Sequence, residues 1–530
     1  MNSWRSLVIV VALAVVSPSS AAGKSGVAGG GSSLEPLPAS EFSFDDARHL
    51  LIRAGFGGTN EEVQRLHRLG LEGMVNWLVD YEGRPDVVGP LDMSPLPRPD
   101  PMAFRRMDEQ ERRAYRRQRR RQDGQAFGRL RGWWADRMVR SRRPLEERMT
   151  LFWHGHFTSS YRDVRNAFHM YLQNELLREH ATGNFRELLH AISRDPAMLE
   201  YLDNNRNRKG RANENFAREV MELFTLGEGN YSEKDIKEAA RAFTGWTFGR
   251  FGNQFVFNRR QHDFGPKTVL GQEGQLDGTD VLEILLEQPV CAEYICGKIF
   301  SYFVHEKPEQ ETVQELAREF RNTGYELKPL LRRIFMSKLF YSEEAKGRQV
   351  KSPVVLLVST LRMLGLEPPR GMALVQLAGR LGQDLMMPPN VRGWQAGRSW
   401  ITTATLLNRY NFGGAIIKAG LRGPRVDVQP MDRAARRRGG RRNQNLMRGW
   451  DSGLSMVALV EVIAPRSAEE LVGGLCERFL FVPLSPERTR TLTEFAGEDS
   501  DPGDLRGPAA ELKLRKLLHL LMSTPEFQMC

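Results

Sequence analysis

Apolar side chains recur along this chain at three- and four-residue intervals far more often than at two, and that spacing predicts a mainly α-helical protein. The stretch 212–226 is the clearest case. At the helical repeat, Phe216, Ala217, Val220, Met221, Leu223 and Phe224 share one side, and Glu214, Asn215, Arg218, Glu219 and Glu222 share the other. Gly227 then supplies a left-handed stop. Short helices are predicted over 45–54 and 60–69, the second capped by Thr59. Pro144 opens another, with Glu146 and Glu147 in its first turn. Ser232 with Asp235 forms a further capping signal. Helical spacing continues over 280–364 and returns over 454–527. The arginine-rich segment suits a helix through Arg121, with a separate helix around Trp133 and Trp134. Strand character is confined to 246–271, where Phe255–Phe257 and Thr268–Leu270 among several glycines predict one small β-hairpin insertion.

A faint repeat accompanies the helices. Leu188–Ile192, Leu330–Ile334 and Leu517–Leu521 align without gaps, and the bulky Met198, Phe340 and Phe527 fall six residues beyond each block. This predicts a recurring way of packing a helix end. The expected organisation is a signal peptide at 1–22, a linker at 23–41 and a main multi-helix domain at 42–421. A basic linker at 422–450 and a C-terminal helical segment at 451–530, packing on the main domain, complete it.

Arg5, the apolar run 7–16 and Ser20-Ala21-Ala22 read as an export signal. Ten apolar residues fall short of the roughly 20 needed to span a bilayer. The expected protein is therefore periplasmic or extracellular, with no membrane span after signal removal. Four cysteines are too few for a disulfide framework. Cys291 and Cys296 lie on one helix and point apart, while Cys476 and Cys530 are free to pair in an oxidising compartment. The net charge of +11 is concentrated in two places. Residues 105–143 hold fifteen arginines and five acids, and 433–448 hold seven arginines and no acid. Export turns the usual nucleic-acid reading of such patches toward an anionic polymer or a second exported envelope protein.

Arg218 stands four residues from both Glu214 and Glu222, a register that pairs all three. Asn215 and Glu219, also four apart, remain as a candidate ligand or general base with its orienting neighbour. His154-Gly155-His156 is the best metal signal, because alternate residues of an extended segment project to one side. His154, His156 and Glu219 are thus the candidate ligands of a divalent metal. His262 and Asp263 form a second catalytic candidate, though adjacent residues orient one another poorly. Asn390, Arg392, Trp394 and Trp400 sit on a proline-rich loop that would either grip a ligand or pin the loop to the core. No nucleophile elbow, phosphate-cradling loop or His-Glu-x-x-His motif is present.

Several motifs together carry a resemblance. They are His49-Leu-Leu-Ile-Arg-Ala-Gly-Phe-Gly57, Glu147-Arg-Met-Thr-Leu-Phe-Trp-His-Gly-His-Phe157, the 213–227 stretch, Ala240-Arg-Ala-Phe-Thr-Gly-Trp246, His262-Asp-Phe-Gly-Pro-Lys267, Pro388-Pro-Asn-Val-Arg-Gly-Trp394 and Pro525-Glu-Phe527. In this set the chain resembles the bacterial exported family catalogued as domain of unknown function 1800. The resemblance implies a largely helical, mostly exported protein whose gene often neighbours that of a second exported family. It carries over no catalytic residues. Two function classes follow: a non-enzymatic envelope or extracellular assembly or binding protein, and a metal-assisted hydrolase or oxidoreductase using His154, His156 and Glu219.

Overall fold

The computed structural model describes residues 34–97, 100–249, 253–369, 371–418, 450, 453–497 and 508–530. The expected signal peptide and the 433–448 patch lie outside these residues, as does most of both expected linkers. The architecture is mainly α-helical, with two small antiparallel sheets among the described residues. None of the helices searched is long and apolar enough to cross a membrane.

The chain opens with α1 (Phe44–Gly55), α2 (Asn60–His67) and α3 (Gly70–Val79). Ser43 and Asp46 cap α1 reciprocally, and Thr59 caps α2 as its sequence position predicts. After α4 (Pro101–Arg106) comes α5 (Glu109–Arg140), one continuous helix of 32 residues rather than two. Its first half has no apolar face and lies in solvent; its second half buries Phe127, Leu130, Trp134 and Met138. Good helix formers carry the helix across the exposed part, so apolar spacing alone does not reveal its continuity.

Next are α6 (Pro144–His156), α7 (Tyr161–Val164), α8 (Ala167–Glu179), α9 (Phe185–Ser193), α10 (Pro196–Tyr201), α11 (Asn215–Glu219) and α12 (Glu233–Ala242). Two hairpins then replace the one expected. β1 (Trp246–Phe248) pairs with β2 (Phe255–Phe257), and β3 (Lys267–Val269) pairs with β4 (Gln272–Gly274). Leu270 and Gly271, at φ of 49° and 83°, make a two-residue turn that reverses the chain directly after β3. The helices α13 (Gly278–Glu287), α14 (Pro289–Phe303), α15 (Gln310–Asn322), α16 (Leu327–Met336), α17 (Pro353–Met363), α18 (Ala373–Arg380) and α19 (Thr403–Lys418) follow. The last described helices are α20 (Met456–Ile463), α21 (Ala468–Phe479), α22 (Pro486–Gly497) and α23 (Pro508–Met522).

These elements enclose two hydrophobic clusters. One gathers α1–α3, α9 and α11–α16; the other gathers the buried half of α5 with α17–α23. Helix α6 serves both, giving Met149 and Trp153 to the first and Leu151 to the second. The repeat proves to be a packing device. Met198, Phe340 and Phe527 are all buried, each on the short helical turn that follows its helix. Two of the copies also pair backbone to backbone: the Phe185 N–H donates to the Tyr325 carbonyl, and the Leu327 N–H to that of Gly183, both at 2.9 Å.

Candidate functional site

Residues two apart on a helix point about 200° apart. His154 and His156 lie in the last turn of α6 rather than on an extended segment, so they face opposite ways instead of sharing an ion. Leucine, phenylalanine and tryptophan on both sides of the pair keep the helix wound through Gly155.

The His154 side is a closed polar network. Glu147, fully buried, accepts from Trp134 Nε1 at 3.0 Å, Arg137 Nε at 2.7 Å and Arg178 Nε at 2.9 Å. Those two guanidinium groups hold its carboxyl below the usual range against the opposing effect of burial. Asn174 accepts from Arg178 through Oδ1 and donates through Nδ2 to His154 Nε2 at 3.0 Å. Burial pushes the His154 imidazole down to about 3, so it is the neutral acceptor of that bond. Asp86, Glu146 and Glu147 are the one carboxylate group, among the described residues, spaced to surround a cation. Arg137 already fills it, at 2.7 Å from Asp86, 3.1 Å from Glu146 and 2.7 Å from Glu147. Neither Glu219 nor His156 belongs to this network.

The His156 side opens on a cavity of about 920 Å³. His156 is buried, and its Nε2–H donates to the Phe224 carbonyl at 3.1 Å, which leaves Nδ1 as a bare acceptor with no protein partner. One turn pair earlier on α6, Arg148 is buried and lines the same cavity; its Nε donates to the Arg53 carbonyl while Nη1 has no partner. Across from α6, α14 presents Tyr294, Lys298 and Tyr302 at successive four-residue steps. The Arg148 guanidinium lies 4.6 Å from the centre of the Tyr302 ring, and the Lys298 ammonium 4.7 Å from that of Tyr294. No hydrogen bond or ion pair joins Lys298 to the protein, and burial pushes its amine down to about 8. Lys351 also lines the cavity, but its Nζ is engaged with the Phe527 carbonyl at 2.9 Å. Of the carboxylates around the cavity, Glu228 and Glu306 are exposed at its edge.

The 388–394 loop closes one wall. Asn390 is exposed and shapes the turn, accepting the Arg392 N–H at 3.0 Å, and it does not line the cavity. Gly393 has φ of 82°, and any side chain there would collide with the Gly155 carbonyl. This close approach lays Trp394 beside Gly155, with Trp394 Nε1 unpartnered. Arg392, Trp394 and the buried Trp400 all line the cavity.

The 212–227 stretch reaches the cavity through its end, at Leu226 and Gly227. After α11 the backbone widens into a π-helix over Val220–Thr225, with the Leu226 N–H donating to the Met221 carbonyl. The wider turn rotates Glu222 away from Arg218. Arg218 pairs with Glu233 at 2.8 Å and with Glu214 at 3.7 Å, whereas Glu222 accepts from Tyr231 at 2.6 Å and faces Arg392 at 3.4 Å. Glu219 is half-buried, its carboxyl raised by burial and then by Glu222, and it lies off the cavity wall. Asn215 is exposed and does not orient it; its backbone N–H donates to Asn213.

His262 and Asp263 do not form a couple. Nδ1–H of His262 donates to the Thr244 carbonyl at 2.8 Å, whereas Asp263 accepts from Arg241 Nε at 2.9 Å, which lowers its pKa. Both hold the turn between the hairpins. All four cysteines are free thiols, Cys476 and Cys530 included.

A second cavity, of about 850 Å³, lies along the exposed half of α5. Arg116, Arg119 and Arg120 line it at helical spacing, facing Arg165 and His169. Arg119 is tied to the Pro97 carbonyl at 2.7 Å, while Arg116 and Arg120 are exposed.

Sequence reasoning missed Arg148, Tyr294, Lys298 and Tyr302. The four-residue spacing on α14 was legible, but which face of that helix met a cavity was not. A family model described as a protein of unknown function, DUF1800, matches residues 49–529. No curated protein and no solved structure matches the chain.

Proposed function

This chain belongs to the DUF1800 family, and we propose that it is a non-enzymatic binding protein of the bacterial envelope, exported, whose cavity beside α6 takes an anionic ligand. One observation carries this reading: buried polar atoms of Arg148, His156 and Trp394, from two of the chain's signature segments, meet around one cavity without protein partners. Buried polar groups ordinarily find partners, and leaving one unmatched costs about 1–3 kcal/mol. A ligand that matches them recovers that cost. The excess of buried cations at the cavity favours a negative ligand.

The arginines of α5 give the same protein an outer contact for an anionic polymer. The alternative, a metal-assisted hydrolase or oxidoreductase on His154, His156 and Glu219, lacks comparable support because the two imidazoles diverge and Glu219 stands apart from both.

A plug variant tests the reading. The Cβ of a side chain at Gly297 would have room beside Val313, and a phenylalanine there would enter the cavity. Soluble fragments of acidic envelope polymers should raise the melting temperature of the wild-type chain and leave that of Gly297→Phe unmoved. Equal shifts in both proteins, or none in either, would overturn the proposal. Retention on an immobilised polyuronate should fall when Arg116, Arg119 and Arg120 are all replaced by alanine.

A further inference from the structure

The chemistry of the unpartnered groups narrows the ligand further; the inference rests on the cavity reading above. Two cationic donors are free to act on a ligand, Nη1 of Arg148 and the ammonium of Lys298. Both are anchored over rings of α14, at Tyr302 and Tyr294, so they stand on one wall. Two donors match the two oxygens of a carboxylate. A phosphate would bring a third charged oxygen.

His156 adds the opposite requirement. Its Nε2 proton is committed to a carbonyl, so Nδ1 accepts and cannot donate. An anion alone offers it nothing; a hydroxyl group does. Trp394 Nε1 is a donor for a neutral oxygen, and its indole, with the tyrosine rings, offers flat apolar surface of the kind sugar rings stack on. The edge of the cavity carries the exposed carboxylates Glu228 and Glu306, which repel a ligand charged along its whole length.

We propose that this cavity binds an acidic sugar, a polyhydroxylated monocarboxylate held by Arg148 and Lys298 at its carboxylate and by Nδ1 of His156 at a hydroxyl. The sugar stands free or as the end residue of a chain whose remainder leaves past the acidic edge. Burial of Lys298 suits this role, since a desolvated ammonium without a protein counter-ion gains most from a ligand that supplies one.

Calorimetric titration of the full-length chain with glucuronate, glucose, glucose 6-phosphate and acetate tests the inference. Glucuronate should bind at least tenfold more tightly than each of the others. Lys298→Gln should bring glucuronate down to the level of glucose while leaving glucose binding unchanged. This variant removes no hydrogen bond or ion pair within the protein, and its melting temperature checks that it folds. Tighter binding of glucose 6-phosphate would overturn the carboxylate assignment, and acetate binding as tightly as glucuronate would overturn the hydroxyl assignment; in both cases the cavity reading survives if Gly297→Phe abolishes the binding. Binding of none of the four, or binding that Gly297→Phe leaves intact, overturns the acidic sugar and the cavity site together.

Discussion

The two sides of α6 differ in one respect that separates support from function. On the Glu147 and His154 side, two buried guanidinium groups, an indole and an amide satisfy one another at 2.7–3.0 Å. On the Arg148 and His156 side, equally buried groups retain atoms without a protein partner beside a cavity. Burial and perturbed protonation mark both sides, so neither property by itself identifies a site. The difference lies in whether the polar groups are already matched.

Breaking the closed side should have the largest effect. Glu147→Ala leaves Arg137 and Arg178 buried beside an absent carboxylate, and should lower stability by about 3–5 kcal/mol in chemical denaturation. The fraction that remains folded should bind glucuronate as before. Because the native carboxyl is held below its unfolded value, its stabilisation is present above the ordinary carboxylate range and is lost as the pH falls through the folded value.

On the open side the order reverses. Lys298→Gln should weaken glucuronate binding at least tenfold and leave denaturation midpoints within the small range of surface substitutions. A pH series sharpens the point. With its amine pushed from 10.5 down to about 8, Lys298 should lose its charge, and the site its affinity, as pH rises from 7 to 9. An exposed lysine would hold affinity to about pH 10. The same depression means that the unfolded chain binds the proton where the folded one does not, so this group's contribution to stability rises with pH between about 8 and 10.5.

The smallest effect is expected at Arg392. It is 63% exposed and pairs with Glu222 and Glu228 at the surface, so Arg392→Ala should cost no more than about 1 kcal/mol and change glucuronate binding less than twofold.

Much of the fold was legible from spacing, because helices that bury one face must repeat their apolar residues every three or four positions. The elements that escaped are those where spacing carries no information. The exposed half of α5 has no apolar face to reveal that it continues into the buried half. The π-helix over Val220–Thr225 keeps the same apolar residues and changes only the backbone step, which is why Glu222 left the partner expected for it. At the site, the rigidity of the 388–394 loop pointed to Arg392 and Trp394. The His154 and His156 pair misled because the glycine between them suggests an extended break. Gly155 serves instead to let Gly393 approach the helix backbone. Lys298 gave no signal of its own, since its burial is produced by residues distant in sequence.

Histidine-selective nitrogen NMR of the full-length chain compares the two sides in one experiment. The Nδ1 resonance of His156 should show a neutral, Nε2-protonated ring in the free protein and should shift when glucuronate is added, while His154 stays in place. A His156 ring protonated on Nδ1, or resonances of His154 and His156 that move together or not at all with saturating glucuronate, would contradict the division of α6 into a structural and a ligand-binding side.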